Sequence, residues 1–167
     1  MKRLVFSSLL IVPLCALATD APDASFYRHA AQGGMAEVEL ANLALKKSED
    51  PAVKDFAARM VKDHTAANDK LRSVAASKNV TLPSHESVNE AATKAKLEVL
   101  SGSTFDKAYI KDMVKDHEKD VAEFRREAKS GQDPDARAYA SETLPTLKEH
   151  LAKIRSIADK SGLTASR

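Results

Sequence analysis

A chain of 167 residues, 43% of them apolar and 30% charged, can bury one core of ordinary size and is short for two. Its 26 Lys and Arg and 24 Asp and Glu alternate in sign along every segment. No basic stripe is available to displace counterions from phosphates, so nucleic acid is excluded as a partner.

The N-terminus MKRLVFSSLLIVPLCALATDA begins with two cations and continues with an apolar run over residues 4–17 that ends at Ala16-Leu17-Ala18. That layout predicts a secretory signal peptide over residues 1–18, cleaved after Ala18. A membrane span needs about 20 apolar residues, and this run is shorter and contains Ser7, Ser8 and Pro13. Lipoprotein processing favours a small residue before the cysteine, whereas Val12-Pro13-Leu14 precedes Cys15, so no lipid anchor is expected. Cleavage removes Lys2, Arg3 and the lone Cys15, leaving 24 cations against 24 anions and no disulfide or thiol chemistry. The mature chain, residues 19–167, is expected as one domain in the periplasm or outside the cell.

Period-two alternation is not sustained anywhere, and the apolar spacing is helical throughout. A first helix over about 23–47 follows the turn-like Asp20-Ala21-Pro22-Asp23. Its seam is Phe26, Ala30, Gly33, Glu37, Leu40 and Ala44, with Lys46 and Lys47 suited to its C-terminus. The second, over 51–78, opens at Asp50-Pro51 and carries Val53, Ala57, Met60, His64, Ala67, Leu71 and Val74. A connection from Asn79 to Gly102 contains Pro83 and a short helix, started by a Ser87/Glu90 capping box and stopped at Gly102. The third, over 103–130, places Ile110, Met113, His117, Val121, Phe124 and Ala128 on one side before Gly131. The fourth, over 134–160, repeats the Asp-Pro start at Asp133-Pro134. Its seam is Ala136, Ala140, Thr143, Leu147, His150, Ile154 and Ile157, with a kink expected at Pro145. Two short turns and one long connection predict an all-α four-helix bundle with a crossover between helices 2 and 3, and small seam residues such as Ala30, Gly33, Ala57 and Ala140 allow close approach.

Four seam residues are polar. Glu37 lies twelve residues before the turn at Glu49 and His64 fifteen after it, an axial offset of about 4.5 Å at a rise of ~1.5 Å per residue. His117 and His150 lie fifteen and eighteen residues from the turn at Gln132, with the same offset. Both pairs fall near mid-bundle, so Glu37, His64, His117 and His150 can meet. Each histidine ends a Lys-acid-His tripeptide, at 62–64, 115–117 and 148–150. The preceding acids, Asp63, Asp116 and Glu149, are rotated about 100° toward the flank. They are candidates to orient an imidazole, although a charge beside a seam is ordinarily a solvated flank, and the lysines point outward.

The segments AEVELANLAL, VKDFAARMVKDH, FDKAYIKDMVKDHEKDV and LPTLKEHL resemble the domain of unknown function 4142 family over about residues 25–160. Its members are secreted bacterial proteins often labelled predicted outer membrane proteins. The resemblance implies a ferritin-like four-helix bundle and no particular reaction. Ferritin-like di-iron sites use Glu-x-x-His on two helices, but Val61, Val114 and Leu147 stand three before His64, His117 and His150. A di-iron oxygen-activating site is therefore not expected.

Three imidazoles and one carboxylate suit a single transition-metal ion such as zinc, copper or iron, in metal handling or a stress response. Met60 and Met113 stand one turn before His64 and His117, a soft combination compatible with copper(I), although methionine ordinarily fills core gaps. Burying these polar groups unpartnered costs about 1–3 kcal/mol each, which favours a shared ion or a hydrogen-bonded network. The alternative is a structural or protein-interaction module of the cell envelope with a polar core. Its working surface would be exposed or lie in the crossover around Pro83-Ser84-His85, with an envelope partner or self-association. Haem is not expected, since Cys-x-x-Cys-His is absent. His29 and His85 are expected to face solvent. No nucleophile elbow or phosphate-binding Gly loop is present, and no enzymatic role is assigned.

Overall fold

A computed structural model describes residues 21–163; the leader expected over 1–18, Cys15 included, lies outside them. The described residues form helices α1 (Ala24–Lys47), α2 (Pro51–Ser77), α3 (Val88–Glu98), α4 (Gly102–Ser130) and α5 (Pro134–Lys160), with no strand among them. The expected caps start three of the helices. Asp50 accepts from the Ala52 amide at 2.7 Å and Asp133 from the Asp135 amide at 2.9 Å, each beside a proline whose missing N–H costs nothing there. Ser87 and Glu90 close a capping box on α3, with the Ser87 amide donating to Glu90 at 2.7 Å.

One expectation shifts. Gly102 does not stop the connecting helix, which ends at Glu98; at φ 54° it opens α4 instead, in a left-handed conformation that glycine adopts freely. Helix α5 runs through Pro145 to Lys160, over the expected range. The carbonyl that a proline deprives of its donor belongs to Ser141, which is exposed and open to water.

Contacts at the two ends fix the directions of the helices. At one end the Asp23 carboxylate accepts from the Gln132 and Asp133 amides at 2.6 and 2.7 Å. Tyr27 donates to Asp133 at 3.0 Å, and Lys78 pairs with the same carboxylate at 3.0 Å. The start of α1, the end of α2 and the α4–α5 turn therefore share that end. At the other end Lys47 donates to the Glu98 carbonyl and lies over the Phe105 ring, so the α1–α2 turn meets the start of α4. Chain direction runs up, down, down and up through α1, α2, α4 and α5, and residues 78–101 traverse the length between the two ends. Within that connection α3 buries only Leu97 and rests on α1 through Lys94 and Glu39.

The long helices share one core cluster, from Phe26, Tyr27 and Phe124 near one end to Phe56, Phe105 and Tyr109 toward the other. The buried face of α1 is turned slightly from the expected seam: Ala31 and Gly34 are buried, whereas Ala30 and Gly33 are half-buried. Close approach falls at Gly34, where a Cβ would overlap the side-chain amide of buried Asn68 on α2. Gly34→Ala gains about 1 kcal/mol of helix propensity but overpacks by about 1–3 kcal/mol, so a net loss near 1 kcal/mol is expected. Adding Asn68→Ala should restore the urea midpoint; a single variant as stable as the parent would show that Asn68 moves aside freely.

Candidate metal centre

The four polar seam residues meet inside the helix cluster, one from each long helix. Glu37 comes from α1, His64 from α2, His117 from α4 and His150 from α5, with only 4%, 6%, 0% and 0% of their surfaces exposed. The imidazole centroids are 5.3–5.9 Å apart, and one nitrogen from each histidine lies within 4.8 Å of the others. Phe56 packs edge-on against His117 and His150 at 6.1 and 6.2 Å and closes that side with an apolar ring.

Each histidine spends one ring nitrogen on an acceptor. His64 Nδ1 lies 2.8 Å from Glu37 Oε2, His117 Nδ1 lies 2.9 Å from the Met113 carbonyl, and His150 Nε2 lies 2.8 Å from Asp63 Oδ2. A carbonyl and an ionised carboxylate only accept, so, with Glu37 ionised, those nitrogens carry the hydrogens and the opposite nitrogens carry lone pairs. The opposite nitrogens, His64 Nε2, His117 Nε2 and His150 Nδ1, are the ones that are buried with no hydrogen-bond partner. Three bare lone pairs, each on a ring oriented by a fixed acceptor, match the donor set and outer hydrogen bonds that hold a metal ion.

The electrostatics favour neutral rings. Burial lowers the His64 pKa to about 4 against the pull of Asp120 and Asp63. Burial also lowers His117 and His150, opposed by Glu37 and Asp63 respectively. Burial raises the Glu37 carboxyl, with His117 acting the other way. Burial works to raise Asp63 too, but hydrogen bonds from His150 and Arg59 outweigh it and hold that carboxyl below its ordinary range.

Of the acids beside the histidines, only Asp63 touches an imidazole, through a contact between α2 and α5 rather than the solvated flank expected of it. Arg59 supports it at 3.2 Å and also binds the exposed Glu149, so Glu149 braces the site at two removes. Asp116 is half-buried and lines a neighbouring cavity. Met60 and Met113 are fully buried in the core, and Met113 serves the site through its carbonyl. Lys62, Lys115 and Lys148 are exposed, as are His29 and His85; His29 faces Glu123 at 3.5 Å. Sequence reasoning missed Phe56, Arg59 and Asp120. Burial and the neighbouring Glu37 raise the Asp120 carboxyl well above its usual range, and His64 opposes them. Its position three after His117, on the same side of α4, was the available signal.

The fold recurs in solved structures. A DUF305 protein from Streptomyces coelicolor superposes with a TM-score of 0.74 at 14% identity, covering 88% of this chain and 96% of its own. A DUF305 fragment from Deinococcus radiodurans gives 0.73 at 15%, covering 83% and 95%. CopM in its Cu(I)-bound form gives 0.69 at 15%, covering 83% and 96%. At such identities the likeness is one of fold. No curated protein matches the sequence. The family model for a domain of unknown function (DUF4142) matches residues 14–157, most of the chain, and this protein belongs to that family.

Proposed function

We propose that this protein binds one transition-metal ion through His64, His117 and His150 and serves in metal handling in the periplasm or outside the cell. The observation that carries this reading is the convergence of three buried histidines, with one ring nitrogen of each within 4.8 Å of the others and one buried nitrogen on each ring left without a hydrogen-bond partner. Leaving all three bare would cost several kcal/mol, at about 1–3 kcal/mol each. Glu37, expected from the sequence as a fourth ligand, holds the His64 tautomer through Oε2, and its other oxygen remains available to an ion. The helix directions and long crossover support a ferritin-like four-helix bundle as one domain, following a signal peptide over residues 1–18.

Copper is the first ion to test. CopM, which shares the fold, is described in Cu(I)-, Cu(II)- and Ag-bound forms, and imidazole suits copper as well as zinc or iron. A bound ion would act as a Lewis acid or a redox centre; the chain's own contribution is to orient three neutral rings and exclude water. The competing reading is a metal-free polar core, favoured by the Glu37–His64 contact, which needs no ion. It leaves the other three nitrogens unsatisfied.

The test is the elemental content of mature protein purified from the periplasm without chelators, beside the His64→Ala/His117→Ala/His150→Ala variant. Near-stoichiometric metal is expected in the parent and none in a variant that retains its helical circular dichroism. Absence of metal from both, with no thermal shift on adding copper or zinc, would establish the metal-free core.

A further inference from the structure

The three histidines are almost sealed from water, so an ion has to be handed to them through the wall. A cavity of about 290 Å³ between α1, α3 and α4 supplies a path: exposed Lys119 and Asn89 stand at its rim, and buried His64 and Glu37 line its inner end. Glu37, Glu90, Asp116, Asp120 and Glu123 line it. Lys115 and Lys119 offset part of that charge, and the balance stays negative. A walled negative cleft concentrates cations and speeds their arrival.

Charge alone would not make this a binding path; the unpaired oxygen of Glu37 does. The residue is 4% exposed, and Oε2 is committed to His64, while Oε1 has no partner unless a proton is shared between Glu37 and Asp120. Its contact with His117 Nδ1 is long, at 3.5 Å, and that nitrogen already serves the Met113 carbonyl. Asp120 lines the same cavity and lies close enough to influence both Glu37 and His64. Two neighbouring carboxylates in a buried wall offer each other no donor when both are ionised. Either one shared proton or one cation satisfies them.

We infer that this cavity admits a divalent transition-metal cation to the three-histidine centre, with Glu37 and Asp120 as the carboxylates that replace its hydration water on the way. The inference rests on the three-histidine reading and adds the route and its two transfer residues. Carboxylate oxygens at the inner end exchange readily with aqua ligands, and His64, which lines the same cavity, is the first imidazole the ion would meet.

Cobalt(II) tests this, because its visible absorption changes when imidazoles replace water. Stopped-flow mixing with the full mature chain is compared for the parent, Asp120→Asn and Asp69→Asn. Asp69 is exposed and paired with Arg72 away from the cavity, so its variant controls for one lost negative charge. Asp120→Asn is expected to slow the appearance of the band by about tenfold or more while leaving its final amplitude unchanged; Asp69→Asn should load at the parental rate. Equal rates in all three proteins would overturn the route while leaving the centre intact. A band that never forms in Asp120→Asn would make Asp120 a ligand or a folding determinant and also overturn the transfer role. No band in the parent would remove the three-histidine reading and the route with it.

Discussion

Replacing His117 with leucine is expected to raise the stability of the metal-free protein, whereas replacing His64 with leucine is expected to lower it. His117 is fully buried and its Nε2 has no partner. Its Nδ1–H donates to the Met113 carbonyl, which sits within α4 and keeps the helical amide bond, so removing the ring orphans nothing. Leucine relieves the cost of a bare buried nitrogen, about 1–3 kcal/mol, and places an apolar group against Phe56; a gain near 1 kcal/mol is expected. His64 is different, because its Nδ1–H is the hydrogen-bond donor to a carboxylate that is 4% exposed. Leaving a buried acceptor without its donor costs about 1–3 kcal/mol. Glu37 can escape by taking a proton, so the His64→Leu deficit should be larger at about pH 8 than at about pH 5. Urea unfolding with a chelator present reads both variants at both pH values, and both should have lost metal binding. Equal losses would show that the two rings are held alike, contrary to the bonding pattern described here.

Much of this was legible because the signals are local. Asp50-Pro51 and Asp133-Pro134 each combine a side-chain cap with a proline whose fixed φ suits the first helical turn, and both helices begin there. Counting residues from the two short turns was enough to put Glu37, His64, His117 and His150 at one depth, since a helix has a constant rise. Helix rotation and neighbour identity were harder to read. Ala31 and Gly34 are more buried than Ala30 and Gly33, and the neighbour that a side chain at position 34 would meet, Asn68, belongs to another helix. Asp63 looked like a solvated flank, and its contact with His150 depends on α2 lying beside α5, which no spacing within α2 reveals. Asp120 was hidden for the opposite reason. It stands in the charged run KDHEKD, where a water-facing acid is the ordinary expectation, and only the cavity beside Glu37 makes it unusual.

Metal affinity is expected to fall by much less than a thousandfold between about pH 7.5 and 5.5, which would separate this centre from a tripod of exposed histidines. Ordinary imidazoles titrate near 6.5, so below that pH each ligand loses about tenfold of its availability per unit and three together about a thousandfold. Here burial has lowered His64 to about 4 and pushes His117 and His150 down as well, so protons compete for the lone pairs less than they do for exposed imidazoles. Stability of the metal-free protein requires a separate sign. Taken alone, His64 contributes stability that is present above its unfolded pKa and lost as pH falls from 6.5 toward about 4, because the unfolded state takes up a proton that the folded state refuses. Glu37 acts oppositely: its raised folded pKa means that the folded state binds the extra proton, so its contribution grows as pH falls. The pair carries about one proton in either state through the middle of the window, and the two slopes largely cancel. Metal at a hundredfold excess over Kd should therefore add about 2.7 kcal/mol, or roughly 5–10 °C in Tm, at both ends of the range. Competition with a chromophoric chelator reads the affinity, and calorimetry reads the shift. A thousandfold weakening at pH 5.5 would show rings that titrate as they do in water, and therefore a centre open to solvent rather than sealed by Phe56 and the helix seams.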